Sequence, residues 1–351
     1  MISIFTTFFT SSFTIAVLAG WIFSYLGIPL GWLIGSLLAV VVTQAIGIKP
    51  LACKPYLPYV RGAVGTLLGV TVTFEFIQLV IDSWASIVFL LAAMALTILS
   101  GYYTLSRVFN VDRTTSLLCS IPGGMTEISM LSERPGCDQV QVATTHLFRV
   151  GLAVLAMPLI VASLYNIEIS KAPEDAGFGT MSFIDWLFFG FCVMSGAFFE
   201  KRFKLQASVI LIPFCITALL HLSGITEFEV PTYIVNIAQL LIGINLGSKF
   251  GTLTRSAIKR VSFTSLVIVV IQIGIAVGLG LLAAIALDRD PITFIISYSP
   301  GGLAEMSIIA VAMHLEAAFV ALNHLFRLTA ALLITPVLLS IVSSDSSTNQ
   351  R

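Results

Sequence analysis

Long apolar segments with almost no charge run through this chain of 351 residues, and they limit what it can fold into. Hydrophobic residues make up 57% of the sequence and charged residues only 10%, whereas an ordinary soluble domain carries about 25% charge. Because so few charges cannot cover a surface in water, the solvent must be lipid, and we predict an all-α integral membrane protein. A bilayer span needs roughly 20 mostly apolar residues. Segments that approach this length are 2–26, 29–47, 56–80, 84–108, 112–134, 138–165, 180–199, 206–223, 230–248, 260–287, 290–313 and 316–342.

Charges, motifs and cysteines exclude several classes of protein. Eighteen Lys and Arg balance eighteen Asp and Glu. The clustered basic excess of a nucleic-acid-binding protein is missing, so we predict no direct contact with nucleic acid. No H-E-x-x-H, G-x-S-x-G or Gly-Lys-Ser motif occurs, so we predict no catalytic residue and no cofactor. The cysteines have no C-x-x-C spacing and predict neither a disulfide framework nor a metal site; they are Cys53, Cys119, Cys137, Cys192 and Cys215.

The first apolar segment lacks the basic residues that precede the apolar part of a signal peptide. The first Lys or Arg of the chain is Lys49. We therefore expect Ile2–Tyr25 to be a retained membrane helix.

One motif occurs twice, 178 residues apart. Ser120-Ile-Pro-Gly-Gly-Met-Thr-Glu-Ile-Ser129 aligns with Tyr298-Ser-Pro-Gly-Gly-Leu-Ala-Glu-Met-Ser307. At the same offset, His146-Leu-Phe-Arg149 aligns with His324-Leu-Phe-Arg327, and 14 of the 40 positions from 119 to 158 are identical. Shared hydrophobicity explains matching Leu and Ala, but not Pro, Gly, Glu, His and Arg in one register. The sequence therefore predicts an internal duplication.

The duplication defines the predicted organisation of the chain. Repeat 1 covers residues 1–165 and repeat 2 covers residues 180–342, with about six apolar segments in each. A polar stretch, 166–179, connects the two repeats, and a short polar tail covers 343–351. This leaves no room for a separate soluble domain.

Loop charges predict how the repeats are oriented, because cytoplasmic loops carry the excess Lys and Arg. The loop after the second segment contains Lys49 and Lys54 in repeat 1 but Glu227 and Glu229 in repeat 2. The loop after the third segment and the loop before Pro-Gly-Gly also change sign between the repeats. These reversals predict two repeats inserted in opposite orientations, an arrangement common among secondary transporters.

Six spans per repeat would leave the repeats parallel, so an inverted arrangement needs one segment of each repeat that does not span. The candidates are the segments that contain Pro122-Gly123-Gly124 and Pro300-Gly301-Gly302. About ten residues on each side of the break would extend about 15 Å, half the hydrocarbon thickness. A re-entrant hairpin fits this length, and so does a helix broken at the midplane, in which case another segment, such as the first of each repeat, fails to span. We favour the hairpin, which would place both chain ends in the cytoplasm and the 166–179 stretch outside.

These two Pro-Gly-Gly breaks are candidate substrate-binding sites. Each break frees backbone groups, which a membrane interior tolerates only inside protein or beside a wet cavity. The helix start that follows attracts anions. Glu127 and Glu305 lie one turn inside that helix and either carry the coupling ion or cap the helix. Ser129 and Ser307 add polar oxygen atoms near the same positions.

His146 and Arg149, and likewise His324 and Arg327, are three residues apart on one helical face. An intramembrane Arg costs about 2.5–3.5 kcal/mol on insertion scales, so it faces the protein interior and has a partner. One hypothesis makes these residues a cationic wall for an anionic substrate, with His titrating near neutrality. The other is a buried Arg–Glu ion pair that holds the broken segment to the next helix. The two hypotheses are compatible.

Two G-x-x-x-G patterns also lie at the 178-residue offset, Gly65 with Gly69 and Gly243 with Gly247. This spacing is typical of helices whose backbones approach closely inside membranes. We predict close helix packing at all four glycines.

With Pro-Gly-Gly-x-x-Glu-x-Ser followed by His-Leu-Phe-Arg, both repeated after 178 residues, the chain resembles the bacterial AbrB membrane-protein family over nearly its whole length. The resemblance implies a multi-pass protein of the bacterial inner membrane. Members of that family carry two kinds of label, regulator of the expression of another gene and ammonia monooxygenase. A monooxygenase needs a metal site, and four dispersed histidines do not form a recognisable one.

The sequence favours a secondary transporter of a small, anionic organic solute coupled to H⁺ or Na⁺, rather than an enzyme. The breaks and the His–Arg pairs would bind the solute, and Glu127 or Glu305 would carry the coupling ion. Its partners would be a small-molecule or ion substrate and the lipid bilayer, and a homo-oligomer is compatible with the sequence. The main alternative is a membrane sensor or regulator that changes gene expression indirectly; a membrane monooxygenase ranks third.

Overall fold

The computed structural model describes residues 12–28, 30–48, 55–82, 84–124, 128, 131–133, 136–165, 181–203, 208–251 and 255–348. Within these ranges all regular secondary structure is helical, as the apolar segments predict. A π-helical turn, Thr104–Val108, directly follows the α-helix that ends at Tyr103. The α-helices are α1 (Ser12–Tyr25), α2 (Gly31–Ala45), α3 (Leu57–Val70), α4 (Phe74–Asp82), α5 (Ala85–Tyr103), α6 (Arg113–Ser120), α7 (Gln139–Tyr165), α8 (Phe183–Phe203), α9 (Ser208–Leu222), α10 (Thr232–Phe250), α11 (Arg255–Leu287), α12 (Pro291–Tyr298), α13 (Leu303–Ala312) and α14 (Ala317–Thr348).

The prediction of one continuous element over 56–80 was wrong, because α3 and α4 are separated at residues 71–73. The Thr71 hydroxyl donates to a carbonyl of the preceding turn at 2.8 Å. The Thr73 hydroxyl accepts from the Phe76 amide at 3.1 Å and so caps the start of α4. Threonine side chains that bind the local backbone in this way end one helix and begin the next.

Five helices in the described part of the chain are long and apolar enough to cross a membrane: Ala85–Val108, Gln139–Val161, Phe183–Arg202, Val261–Leu287 and Ala317–Val342. Shorter apolar helices are Ser12–Tyr25, Gly31–Ala45, Ser208–Leu222 and Leu303–Ala312. Many large apolar side chains on these helices are exposed, including Leu99, Phe198, Phe263 and Leu333. Such a surface suits lipid rather than water, as in an all-helical membrane protein.

The chain divides into two compact units. The first unit consists of residues 1–81, 154–252 and 304–321, and the second consists of residues 82–153, 253–303 and 322–351. Each unit contains segments from both predicted repeats, so the units cut across the repeats.

Glycines allow close helix packing in the first unit. At Gly65 and Gly69 of α3, an added Cβ atom would collide with the backbone of α9. At Gly243 and Gly247 of α10, it would collide with the backbone of α2. Gln44 strengthens this second crossing by donating to the Gly247 carbonyl at 2.9 Å. The close packing predicted at all four glycines is confirmed.

Both Pro-Gly-Gly breaks lie in the second unit. In this unit α5 packs against α6, α11 packs against α12, and α5 and α11 pack against each other. Around the first break, the apolar core combines residues of both predicted repeats, namely Met94, Leu117, Leu118, Ile121, Ile128, Val142, Ile268, Ala331 and Leu339.

Several predicted features lie outside the described residues: the connecting stretch 166–179, the loop residues Lys49 and Lys54, and the candidate site residues Glu127 and Ser129. At the other end of the chain, α14 continues to Thr348 and so enters the predicted polar tail. The orientation of the two repeats stays a prediction.

Candidate functional site

Each break follows a short helix of eight residues. α6 ends at Ser120 and α12 ends at Tyr298. At 1.5 Å per residue such a helix is only about 12 Å long, which is too short to cross a bilayer. An aspartate caps each start: Asp112 accepts from two backbone amides and Asp290 accepts from one. Each short helix is therefore fixed by its cap at one end and followed by a proline at the other.

The carbonyl groups freed at each break are bound by the predicted arginines. Arg149 donates from Nη1 to the Ile121 carbonyl and from Nη2 to the Gly123 carbonyl, both at 2.8 Å. Arg327 makes the corresponding two bonds, from Nη1 to the Ser299 carbonyl and from Nη2 to the Gly301 carbonyl. The planar guanidinium presents several donors in a fixed geometry, so one side chain satisfies two acceptors that the break removes from the helix.

The predicted histidines bind the same short helices. Nε2 of His146 lies 2.9 Å from the Leu118 carbonyl oxygen, and Nε2 of His324 lies 3.1 Å from the Ile296 carbonyl oxygen. A carbonyl oxygen only accepts, so each Nε2 carries a hydrogen, and the lone pair of the neutral ring is on Nδ1. Each His–Arg pair therefore holds the C-terminal end of one short helix, where a cation also suits the helix dipole.

All four of these side chains are deeply buried. His146 and His324 are each 1% exposed, Arg149 is 3% exposed and Arg327 is 7% exposed. Both Nδ1 atoms and both Nε atoms have no hydrogen-bond partner within the described ranges. A buried polar atom without a partner costs about 1–3 kcal/mol. Four such atoms at corresponding positions therefore call for a functional explanation.

The hydrogen-bond partners of Arg149 and Arg327 in the described part of the chain are backbone carbonyls, not carboxylates. Both arginines belong to the second unit. The sequence alone offered an Arg–Glu ion pair as a structural role for these residues. The structure gives them a structural role with neutral partners, since no carboxylate among the described residues hydrogen-bonds to either arginine.

Two polar contacts of the short helices were missed from the sequence. Gln272 of α11 donates to the Ser120 carbonyl at 3.3 Å. Tyr298 donates its hydroxyl to the Ser86 carbonyl at 2.7 Å. A glutamine inside an apolar span is a sequence signal that could have identified the first contact. The second had no such signal, because its acceptor is a backbone group on a distant segment.

The remaining predicted site residues fall into two groups. In the breaks, Pro122, Gly123, Pro300 and Gly301 are buried and Gly124 and Gly302 are half-buried. Glu305 and Ser307 are buried in α13, whose residues 304–312 belong to the first unit. In that unit burial of Lys249 disfavours its cation, and the negative charge of Glu305 opposes this effect. Across the described ranges, no group of three or more His, Cys, Asp or Glu side chains is placed to hold a metal ion.

The helices and the two His–Arg-bound breaks define an all-helical membrane protein with interrupted helices in its interior. The sequence model of one family, described as "Transition state regulatory protein AbrB", matches residues 32–343. The chain belongs to this AbrB family, as the doubled motif predicts.

Two relatives match the chain along most of its length. It is 26% identical to the "Uncharacterized protein YhjN" of Bacillus subtilis (strain 168), over 92% of this chain and 90% of that protein. It is 22% identical to the "Putative regulator AbrB" of Escherichia coli (strain K12), over 90% of this chain and 91% of that protein. Both matches therefore cover most of this chain and most of each relative.

Proposed function

We propose that this protein is a secondary transporter of a small, anionic organic solute, coupled to H⁺ or Na⁺, in the inner membrane of a bacterium. The solute binds at the two Pro-Gly-Gly breaks, between the arginines that hold them. Broken helices in the membrane interior are the usual place of substrate and ion sites in transporters with inverted repeats.

One observation carries this proposal: Arg149 and Arg327 are buried in the same unit, and their hydrogen-bond partners among the described residues are neutral carbonyls. Carbonyl oxygens at a helix end offer only part of a negative charge. Burying two like charges is unfavourable unless a counter-charge is present for part of the time. A bound anion supplies that charge.

The arginines also have a structural task, so the functional test has to separate charge from hydrogen bonding. Lys at position 149 keeps the positive charge and one donor group, whereas Gln keeps a donor group and removes the charge. If the charge binds an anion, Arg149→Lys retains measurable flux and Arg149→Gln loses it. If only the carbonyl bonds matter, both variants have the same flux per folded molecule. Arg289→Gln removes an exposed arginine and is the matched control.

The measurement is uptake of organic acids and amino acids into proteoliposomes, with and without a pH or Na⁺ gradient. We expect uptake of at least one anionic solute above that of empty liposomes. No flux of any solute under any gradient would end the proposal.

The second candidate is a membrane regulator that changes gene expression indirectly, and the name of the Escherichia coli relative favours it. Direct contact with nucleic acid is not part of this candidate, because the basic and acidic residues are balanced. It predicts a transcriptional change on gene deletion that is reversed equally by the wild-type chain and by a variant without flux. Loss of that reversal in flux-deficient variants would leave transport as the primary activity.

A further inference from the structure

Each His–Arg pair contains a basic nitrogen and an N–H donor that have no hydrogen-bond partner among the described residues. Because Nε2 of His146 donates to a carbonyl, its Nδ1 has an unshared lone pair, and no described residue donates to this buried atom. His324 has the same tautomer, and its Nδ1 likewise has no donor among the described residues. One turn further along each helix, the Nε–H of Arg149 or Arg327 has no acceptor in the described part of the chain.

An acceptor and a donor that are three residues apart on one helical face match one common chemical group. In a protonated carboxyl group the O–H donates and the C=O accepts, so it can bind Nδ1 of the histidine and Nε–H of the arginine together. A carboxylate without a proton accepts a hydrogen bond from the arginine but offers no hydrogen to Nδ1. A sodium ion would be repelled by the neighbouring guanidinium.

Resting on the proposed function, we infer that the coupling ion is a proton, and that His146 and His324 hold it while the arginine beside each binds the carboxylate. The proton of the carboxyl group is shared with Nδ1: on transfer the O–H bond breaks, an Nδ1–H bond forms, and carboxylate and imidazolium remain as a pair. The charge of the site is the same before and after transfer. The solute is thus a carboxylate taken up together with H⁺.

The surrounding charges make proton and carboxylate depend on each other. Among the described residues, the charged group that acts on His146 is Arg149 on its own helix, and the thiol of Cys119 on α6 lies near that arginine. In the same described part of the chain, the charged group that acts on His324 is Arg327. Without an anion, the adjacent guanidinium opposes a second positive charge on the ring. A bound carboxylate removes that opposition, so each ligand promotes binding of the other.

Substitution by glutamine isolates the proton, because its amide keeps an N–H donor for the carbonyl but has no basic nitrogen. In proteoliposomes with an internal pH dye, we expect His146→Gln and His324→Gln to lose pH-driven accumulation of the carboxylate by about tenfold or more, the scale of a typical coupling free energy. Carboxylate exchange without a gradient should lose its dependence on pH, because the buried base that takes up the proton is gone. His221→Gln is the control, because both ring nitrogens of His221 already contact backbone carbonyls in the first unit.

The outcomes separate this inference from the proposed function. If both glutamine variants still accumulate the carboxylate in response to a pH gradient, the inference is overturned. Wild-type transport driven only by Na⁺ overturns it as well. In either case the proposed function, solute transport, is retained. The absence of any wild-type flux overturns the proposed function and this inference with it.

A second measurement needs only the wild-type protein, in case the variants fail to fold. Calorimetric titration of a transported carboxylate, in buffers of different ionisation enthalpy, counts the protons taken up on binding. We expect about one proton per carboxylate bound, as linkage requires when the two ligands share a site. Binding without proton uptake overturns the inference.

Discussion

The break after α6 and the break after α12 are held by the same side chains but supported by different neighbours. In each, an aspartate caps the short helix and a His–Arg pair binds the freed carbonyls. At the first break, Gln272 of α11 binds the Ser120 carbonyl. At the second, Tyr298 occupies the position equivalent to Ser120 and reaches across to Ser86 of α5.

This comparison shows which hydrogen bonds every break of this kind requires. Any interrupted helix in an apolar interior frees backbone carbonyls, and these need donors wherever the helix lies. The support from neighbouring helices depends instead on the space between them, which different side chains can fill. Four pairs of substitutions test this distinction, with the largest effect first.

Removing either arginine should have the largest effect. Arg149→Ala and Arg327→Ala each leave two buried carbonyls without a donor, at about 1–3 kcal/mol for each group. We expect a similar fall in Tm and in the yield of monodisperse protein for both, because both breaks use the same bonds. Thermal unfolding in detergent, followed by size-exclusion chromatography, measures it. A large loss in one variant and none in the other would show that the breaks are not equivalent.

The glycines that let α5 and α11 approach the short helices should differ in their tolerance of alanine. A Cβ at Gly280 would lie 2.8 Å from Cα and 2.9 Å from N of Ile295, whereas a Cβ at Gly101 meets the side chain of Ser120. Overpacking costs about 1–3 kcal/mol, and a side chain yields more easily than a backbone. We expect Gly280→Ala to lower Tm more than Gly101→Ala. The reverse order would mean that the first break is the more rigid one.

The helix caps should show a smaller difference. Asp112 accepts from the amides of Thr114 and Thr115, but Asp290 only from that of Thr293. Replacing an N-cap by alanine costs about 0.5–2 kcal/mol. We therefore expect the loss of stability to lie near the upper end of this range for Asp112→Ala and near the lower end for Asp290→Ala. The same melting assay measures both losses. Equal losses would contradict the counting of amide bonds.

The smallest effects should come from the individual supports. Tyr298→Phe removes a hydrogen bond of 2.7 Å, for about 0.5–1.5 kcal/mol. Gln272→Met removes a longer bond of 3.3 Å and also an amide oxygen that has no partner, so its net effect on Tm should be close to zero. A large loss of stability in Gln272→Met would contradict this view of Gln272 as an interchangeable support.

Much of the candidate site could be predicted because its signals are local. Proline removes a donor at a fixed place, so the ends of α6 and α12 follow from Pro122 and Pro300. A buried arginine must find partners, and its register with histidine follows from helical spacing. The G-x-x-x-G patterns predicted the close helix crossings of the first unit, because a residue without a side chain can be recognised directly in the sequence.

Other features depended on contacts between distant segments. The sequence alone determined that this is a helical membrane protein of the AbrB family, with two interruptions and a His–Arg pair for each. Only the tertiary structure decided that the arginines bind carbonyls 26 and 28 residues away, and that each compact unit combines both halves of the chain. The physical reason is that an unpaired backbone group or buried charge fixes the need for a partner, whereas helix packing decides which partner is within reach.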